Sequence, residues 1–157
     1  MGLFSKSAPA EPVDDALAQV IIAREDARRR RIENTLSKNQ AALREMLDDG
    51  EDVRAISFTD RVTSVLVVTN QRLLRLKKGR HDWAPIPLTE VAETHVNFDK
   101  VSEVYGVVVL TRTSKRYAES DSRRYSPDHF FHVDFADPQE AQALRAIIDT
   151  LVQRRNA

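Results

Sequence analysis

Val62-Thr63-Ser64-Val65-Leu66-Val67-Val68-Thr69-Asn70-Gln71-Arg72-Leu73-Leu74-Arg75-Leu76-Lys77 is the stretch that decides the fold. Its first half is β-branched and nearly continuously apolar, the pattern of a strand covered on both faces or closed into a barrel. Asn70-Gln71 is a two-residue connection, after which Arg72–Lys77 alternates apolar and polar, so the stretch reads as a hairpin. Asn70 tolerates the backbone conformations of a tight turn, and Thr69 can bond to the turn backbone. Arg72 reads as a structural residue, lying across the neighbouring strand or pairing with an acid such as Glu51.

Period-two alternation extends in both directions from this hairpin. Upstream lies Val53–Phe58, joined to it by the tight turn Thr59-Asp60-Arg61. Downstream, Ile86 and Leu88 are interleaved with Pro85 and Pro87, which confines any strand there to an edge or a bend. Val91–Val96, Val104–Thr111, a weaker Lys115–Ala118 and a closing Phe130–Phe135 follow. The clearest local signal is at the end. Asp137 is placed as an N-cap, Pro138 as the first helical residue and Glu140 three residues after the cap. Ala141, Leu144, Ile148, Leu151 and Val152 form one apolar stripe, widened by Ile147, and Arg154 and Arg155 occupy the favourable end for cations. The spacing predicts a C-terminal helix over 138–155.

The N-terminal third has a different period. Residues 1–12 carry two prolines and no periodicity and read as a disordered leader. Their lack of an apolar core speaks against a secretory signal, and Lys6 stands where a myristoylation pattern wants Ser or Thr. From 13 to 48 the reading is helical: Val13, Leu17, Val20 and Ile21, then Ile32, Leu36, Leu43 and Leu47, recur at helical spacing without a Gly or Pro until Gly50. Gly50 is placed to end the helix in a left-handed conformation. Arg28-Arg29-Arg30-Arg31 occupies every face of one turn, so burial of that turn is not expected, and the helix is expected to divide there into arms near 13–23 and 32–48.

Composition bounds the function. In 157 residues, 24 Lys+Arg balance 24 Asp+Glu, which excludes a global polycation steered onto nucleic acid or anionic membrane. Without cysteine there is no disulfide framework, thiol catalysis or Cys-ligated zinc, and a cytoplasmic location is the expectation. No apolar run approaches the roughly 20 residues of a membrane helix. No phosphate-binding glycine loop or nucleophile elbow is present. His129, His132 and Asp134 come nearest to a metal cluster, but on a strand only His132 and Asp134 share a face. No catalytic residue, metal or cofactor is therefore expected.

Three segments together carry a resemblance. Leu47-Asp48-Asp49-Gly50-Glu51-Asp52-Val53, Leu66–Leu74 and Ile86-Pro87-Leu88-Thr89-Glu90-Val91 resemble the Gly-Glu lead-in, Val-Thr-Asn/Asp hairpin and Ile-Pro strand of short bacterial pleckstrin-homology-like (PH-like) domains. The resemblance covers residues 40–152, with Arg75 standing where those domains often place an apolar residue. It implies an α+β fold: a seven-stranded antiparallel barrel or orthogonal sandwich at 49–152, capped by the C-terminal helix and preceded by an N-terminal helical extension. The implied role is a non-catalytic interaction module binding a protein partner. Separately, the apolar stretch Val20-Ile21-Ile22 of the N-terminal helix needs a cover, which leaves two alternatives for residues 13–48: self-association or docking on another protein, or packing back across the barrel wall. The alternative role is peripheral binding of anionic membrane lipid or nucleic acid. The basic loop that serves lipid headgroups in eukaryotic PH domains is here only Thr59-Asp60-Arg61, so the anion-binding candidates are Arg28, Arg29, Arg30 and Arg31 with Lys77, Lys78 and Arg80.

Overall fold

The computed structural model describes residues 11–58, 64–77, 85–100, 103–113, 130–135 and 137–157. Strands β1 (Val53–Phe58), β2 (Ser64–Thr69), β3 (Arg72–Lys77) and β4 (Ile86–Pro87) form one antiparallel sheet in chain order. A single 3-10 turn, Leu88–Glu90, leads into β5 (Val91–Asp99), which with β6 (Val104–Thr111) and β7 (Phe130–Phe135) forms a second antiparallel sheet. The closed-barrel expectation is corrected. Among the described residues no ladder joins the two sheets, which instead face each other across one core. The two-residue β4, with Pro87 opposite Arg72, is the edge strand its prolines require. Lys115–Ala118 lies outside the described residues.

Both faces of the first sheet are dry, as the unbroken apolar run of β2 demands. Ala55, Leu66, Val68 and Leu73 point inward and meet Val107 and Val109 of β6 and the stripe Ala141, Leu144, Ile148 and Leu151 of the C-terminal helix α3 (Pro138–Asn156). Ile56, Val65, Val67, Leu74 and Leu76 point the other way and are covered by the N-terminal third. That covering layer is built from α1 (Asp15–Gln19) and α2 (Asp26–Met46), whose Leu17, Ile32, Leu36 and Leu43 close the second core.

Between these helices the chain departs from the helical reading. α1 has its C-cap at Val20, and Ile21 then makes an isolated parallel bridge to Ile56 at the free edge of β1, with Ile22 N–H donating to the Ile56 carbonyl at 2.8 Å and Ile56 N–H to the Val20 carbonyl at 2.9 Å. Three successive residues with branched or bulky side chains gain more from a sheet edge than from a helix that their own spacing permits. The break therefore falls at 20–25, ahead of the arginines, and Arg28–Arg31 are helical within α2. Buried Gln40 of α2 ties down the segment before α1, accepting from Asp14 N–H at 3.1 Å and donating to the Pro12 carbonyl at 2.6 Å.

The hairpin residues form a polar lock at one end of this sheet. Arg72 grips Glu51 with two guanidinium nitrogens, Nε to Oε1 at 2.8 Å and a terminal nitrogen to Oε2 at 2.9 Å, and donates to the Met46 carbonyl at 2.7 Å. The Asp48 N–H and the Thr69 hydroxyl also donate to Glu51, at 2.9 and 2.7 Å. Thr69 Oγ1 in turn accepts from the Gln71 and Arg72 N–H groups, the local turn bond expected of it. Asn70 is used otherwise than expected. Among the described residues only Glu103 is a non-glycine with positive φ, so the turn does not exploit the left-handed tolerance of Asn70. Its side chain instead splices the hairpin to the start of β1, accepting from Asp52 N–H and donating to the Gly50 carbonyl, each at 3.0 Å. Gly50 does take a left-handed φ of 76°, but α2 has already ended at Met46. The glycine serves the turn that aims Glu51 at Arg72.

Burial of Glu51 favours its neutral form, yet the donated bonds from Arg72, Asp48 and Thr69 outweigh this and hold its carboxyl below the usual range. The Glu51 hydrogen bond in turn raises the Arg72 guanidinium. Because the folded value is depressed, the stabilisation is complete above about pH 4.3, where an unfolded glutamate titrates, and is lost as pH falls through the lower folded value. Glu51→Gln is expected to cost about 2–3 kcal/mol in urea unfolding at pH 7, leaving a half-buried Arg72 without its counter-charge. The difference from the unsubstituted chain is expected to shrink as pH is lowered below about 4.

Candidate interaction site

A β-bulge and a helix flank make a groove at the same end of the molecule as this lock. Register shifts between Val53 and Ala55 in the β1–β2 ladder, so Arg54 is an extra residue in its strand, and bulges of this kind re-aim a side chain. Arg54 faces the C-terminal half of α3, where Ala146, Ile147, Thr150, Leu151 and Arg154 fall at helical spacing along one flank. These six residues line a cavity of about 350 Å³. Leu151 and half-buried Ile147 form its floor. The Thr150 hydroxyl donates to the Ala146 carbonyl of its own helix at 2.8 Å, which spends its polar group within the helix. Arg54 and Arg154, both exposed, stand on the rim, and Arg54 pairs with Asp52 at 3.4 Å. The groove thus combines apolar contact with two cations.

Sequence reasoning missed this site. Arg54 reads as the wet side of an alternating strand and Arg154 as a helix-end cation, and only the bulge and the helix direction bring them together. The one signal was Ile147, which widens the α3 stripe and packs on the edge of the core while staying half-exposed.

The tetra-arginine turn is divided in two. Arg28 is not solvated as expected: its side chain is 18 % exposed and donates to Glu140 Oε1 at 2.9 Å, with a second contact to Glu25 at 3.2 Å. Glu140 is itself buried and also accepts from the Arg24 backbone N–H at 2.5 Å. So the residue placed to complete a capping box on α3 instead pins the N-terminal layer to that helix. Asp137 does cap α3 as expected, accepting from Gln139 N–H at 2.8 Å. Arg29, half-buried, reaches the Ala18 carbonyl at the end of α1. Only Arg30 and Arg31 are exposed.

Strand pairing locates these groups relative to the other proposed cations. The Val20–Ile22 segment runs parallel to β1, and α2 then returns to place Met46 at Arg72, so the first turn of α2 lies toward the Lys77 end of β3. Lys78 and Arg80 lie outside the described residues, as does His129. His132 and Asp134 are opposite Val108 and Gly106 in the β6–β7 ladder. Among the described residues no group of three or more His, Asp or Glu could hold a metal ion, and no helix is long and apolar enough to cross a membrane.

No protein-family model matches the chain, and no curated protein matches it. Among solved structures it is similar to the Vps36 N-terminal PH domain. The TM-score is 0.48 and the identity 12 %, over 69 % of this chain and 86 % of that one.

The division of the arginines gives a mutational contrast. Arg28→Ala strands buried Glu140 and is expected to lower stability by about 3 kcal/mol. Arg30→Ala and Arg31→Ala are expected to stay within about 0.5 kcal/mol of the unsubstituted chain in the same urea titration.

Proposed function

We propose that this chain is a PH-like, non-catalytic interaction module that binds a protein partner in the groove between the β1 bulge and α3. Two antiparallel sheets around one core, with a helix closing the open side, support the PH-like reading. The groove carries the functional one, because it pairs an apolar floor with two exposed cations. Self-association through residues 13–48 does not form part of this reading. The apolar stripe of α2 that would drive it, Ile32, Leu36 and Leu43, is fully buried against the first sheet.

Binding of anionic lipid or nucleic acid is the competing reading. It keeps Arg30 and Arg31, near the start of α2 and toward the Lys77 end, together with Lys77, Lys78 and Arg80. It loses Arg28 and Arg29 to internal bonds. The balanced net charge also removes any long-range attraction to phosphate.

Two surface variants separate the readings. Thr150→Trp fills the groove without changing charge, and Arg30→Glu with Arg31→Glu inverts the other end. In quantitative affinity capture with the full chain, the recovered protein is expected to be lost with the first variant and retained with the second. Recovery insensitive to Thr150→Trp contradicts the proposal. So does salt-sensitive binding to phosphatidylglycerol vesicles or RNA that the Arg30 and Arg31 changes abolish.

A further inference from the structure

We infer that the occupant of the groove is a short peptide segment in which Asp or Glu side chains flank a bulky apolar one. This rests on the protein-binding reading above and adds the chemistry of the bound segment. The rim supplies the first half of the argument. Arg54 and Arg154 come from different elements and overlook one cavity, and a guanidinium fork is matched to a carboxylate in shape and charge. The nearby acid Asp52 holds Arg54 at 3.4 Å in a pair whose two side chains are 47 % and 69 % exposed. So exposed a pair adds little to stability, and an incoming carboxylate exchanges with Asp52 at little cost.

The floor supplies the second half. Ile147, Leu151 and Ala146 offer aliphatic surface between the two cations. Ile147 is half-buried, and covering its remaining apolar surface is favourable. The size of the space discriminates among anions with apolar parts. About 350 Å³ in an open groove accepts one or two large side chains, whereas a long acyl chain would leave most of its methylenes in water. Single-stranded nucleic acid is disfavoured for a separate reason: among the described lining residues none is aromatic, so they offer no platform on which a base could stack. A carboxylate-bearing peptide matches the two cations and the apolar floor together.

The test titrates the uniformly labelled full chain with a twelve-residue peptide of alternating Glu and Leu, following backbone amide shifts. Its isomers with Lys for Glu and with Ser for Leu are the comparisons. Shifts are expected at Arg54 and along 146–154, with affinity falling as salt is raised. The Lys isomer is expected to give no shifts at these positions, and the Ser isomer to bind about tenfold more weakly. Arg54→Glu with Arg154→Glu is expected to weaken the Glu-Leu peptide about tenfold or more, and Thr150→Trp to do so at unchanged charge. Equal affinity for the Lys isomer, shifts centred on Arg30 and Arg31, or no shifts at about 1 mM peptide would overturn the inference. A captured partner that depends on Thr150→Trp while the Glu-Leu peptide fails leaves the protein-binding reading standing and removes only the chemistry assigned here. Peptide binding at the groove alongside capture indifferent to Thr150→Trp removes the protein-binding reading.

Discussion

A sheet whose central strands are apolar on both faces must be covered twice, and that constraint organises this protein. Leu66, Val68 and Leu73 need one cover, and Val65, Val67, Leu74 and Leu76 need another. Side chains of this size contribute about 1.5–3 kcal/mol each when fully buried. Leaving the second face wet would forfeit an amount comparable to the whole stability of a domain, about 5–15 kcal/mol. The second sheet and α3 satisfy the inner face. Among the described residues the outer face is covered by 11–46, so this segment is a layer of the fold as much as the strands are.

Three polar devices hold that layer in place, and their positions determine where function can reside. At one end of the sheet Glu51 and Arg72 join the end of α2 to the hairpin. At the other, Arg28 and the Arg24 backbone grip Glu140 at the start of α3. Along the edge, Val20–Ile22 pairs with β1 at Ile56. α3 is thus pinned at its N-terminal end by the covering layer. The flank of its C-terminal half faces the bulged start of β1, and there the groove forms.

Much of this was legible in the sequence where local chemistry and tertiary structure agree. The continuous β-branching of β2 pointed to a strand covered on both faces or closed into a barrel, and the structure has the first. The pairing of Arg72 with Glu51, the Thr69 turn bonds and the Asp137-Pro138 start of α3 were legible because each is made over a short loop or a single hairpin. What escaped was decided at long range. Val20-Ile21-Ile22 fits a helix by spacing but leaves it to bridge Ile56, because β1 offers an edge more than thirty residues away. Glu140 follows the capping pattern, but a guanidinium 112 residues distant claims it. The groove depends on one inserted residue in a ladder, a feature with no local signature around Arg54.

The claim that residues 11–46 are part of the core is tested most directly by removing them. Urea unfolding of a chain beginning at Leu47, beside the full chain, is the decisive measurement. With Ile56, Val65, Val67, Leu74 and Leu76 stripped of their cover, the account requires a shortened chain that shows no cooperative transition or self-associates. A shortened chain that stays monomeric and unfolds cooperatively within about 1 kcal/mol of the full chain would contradict it.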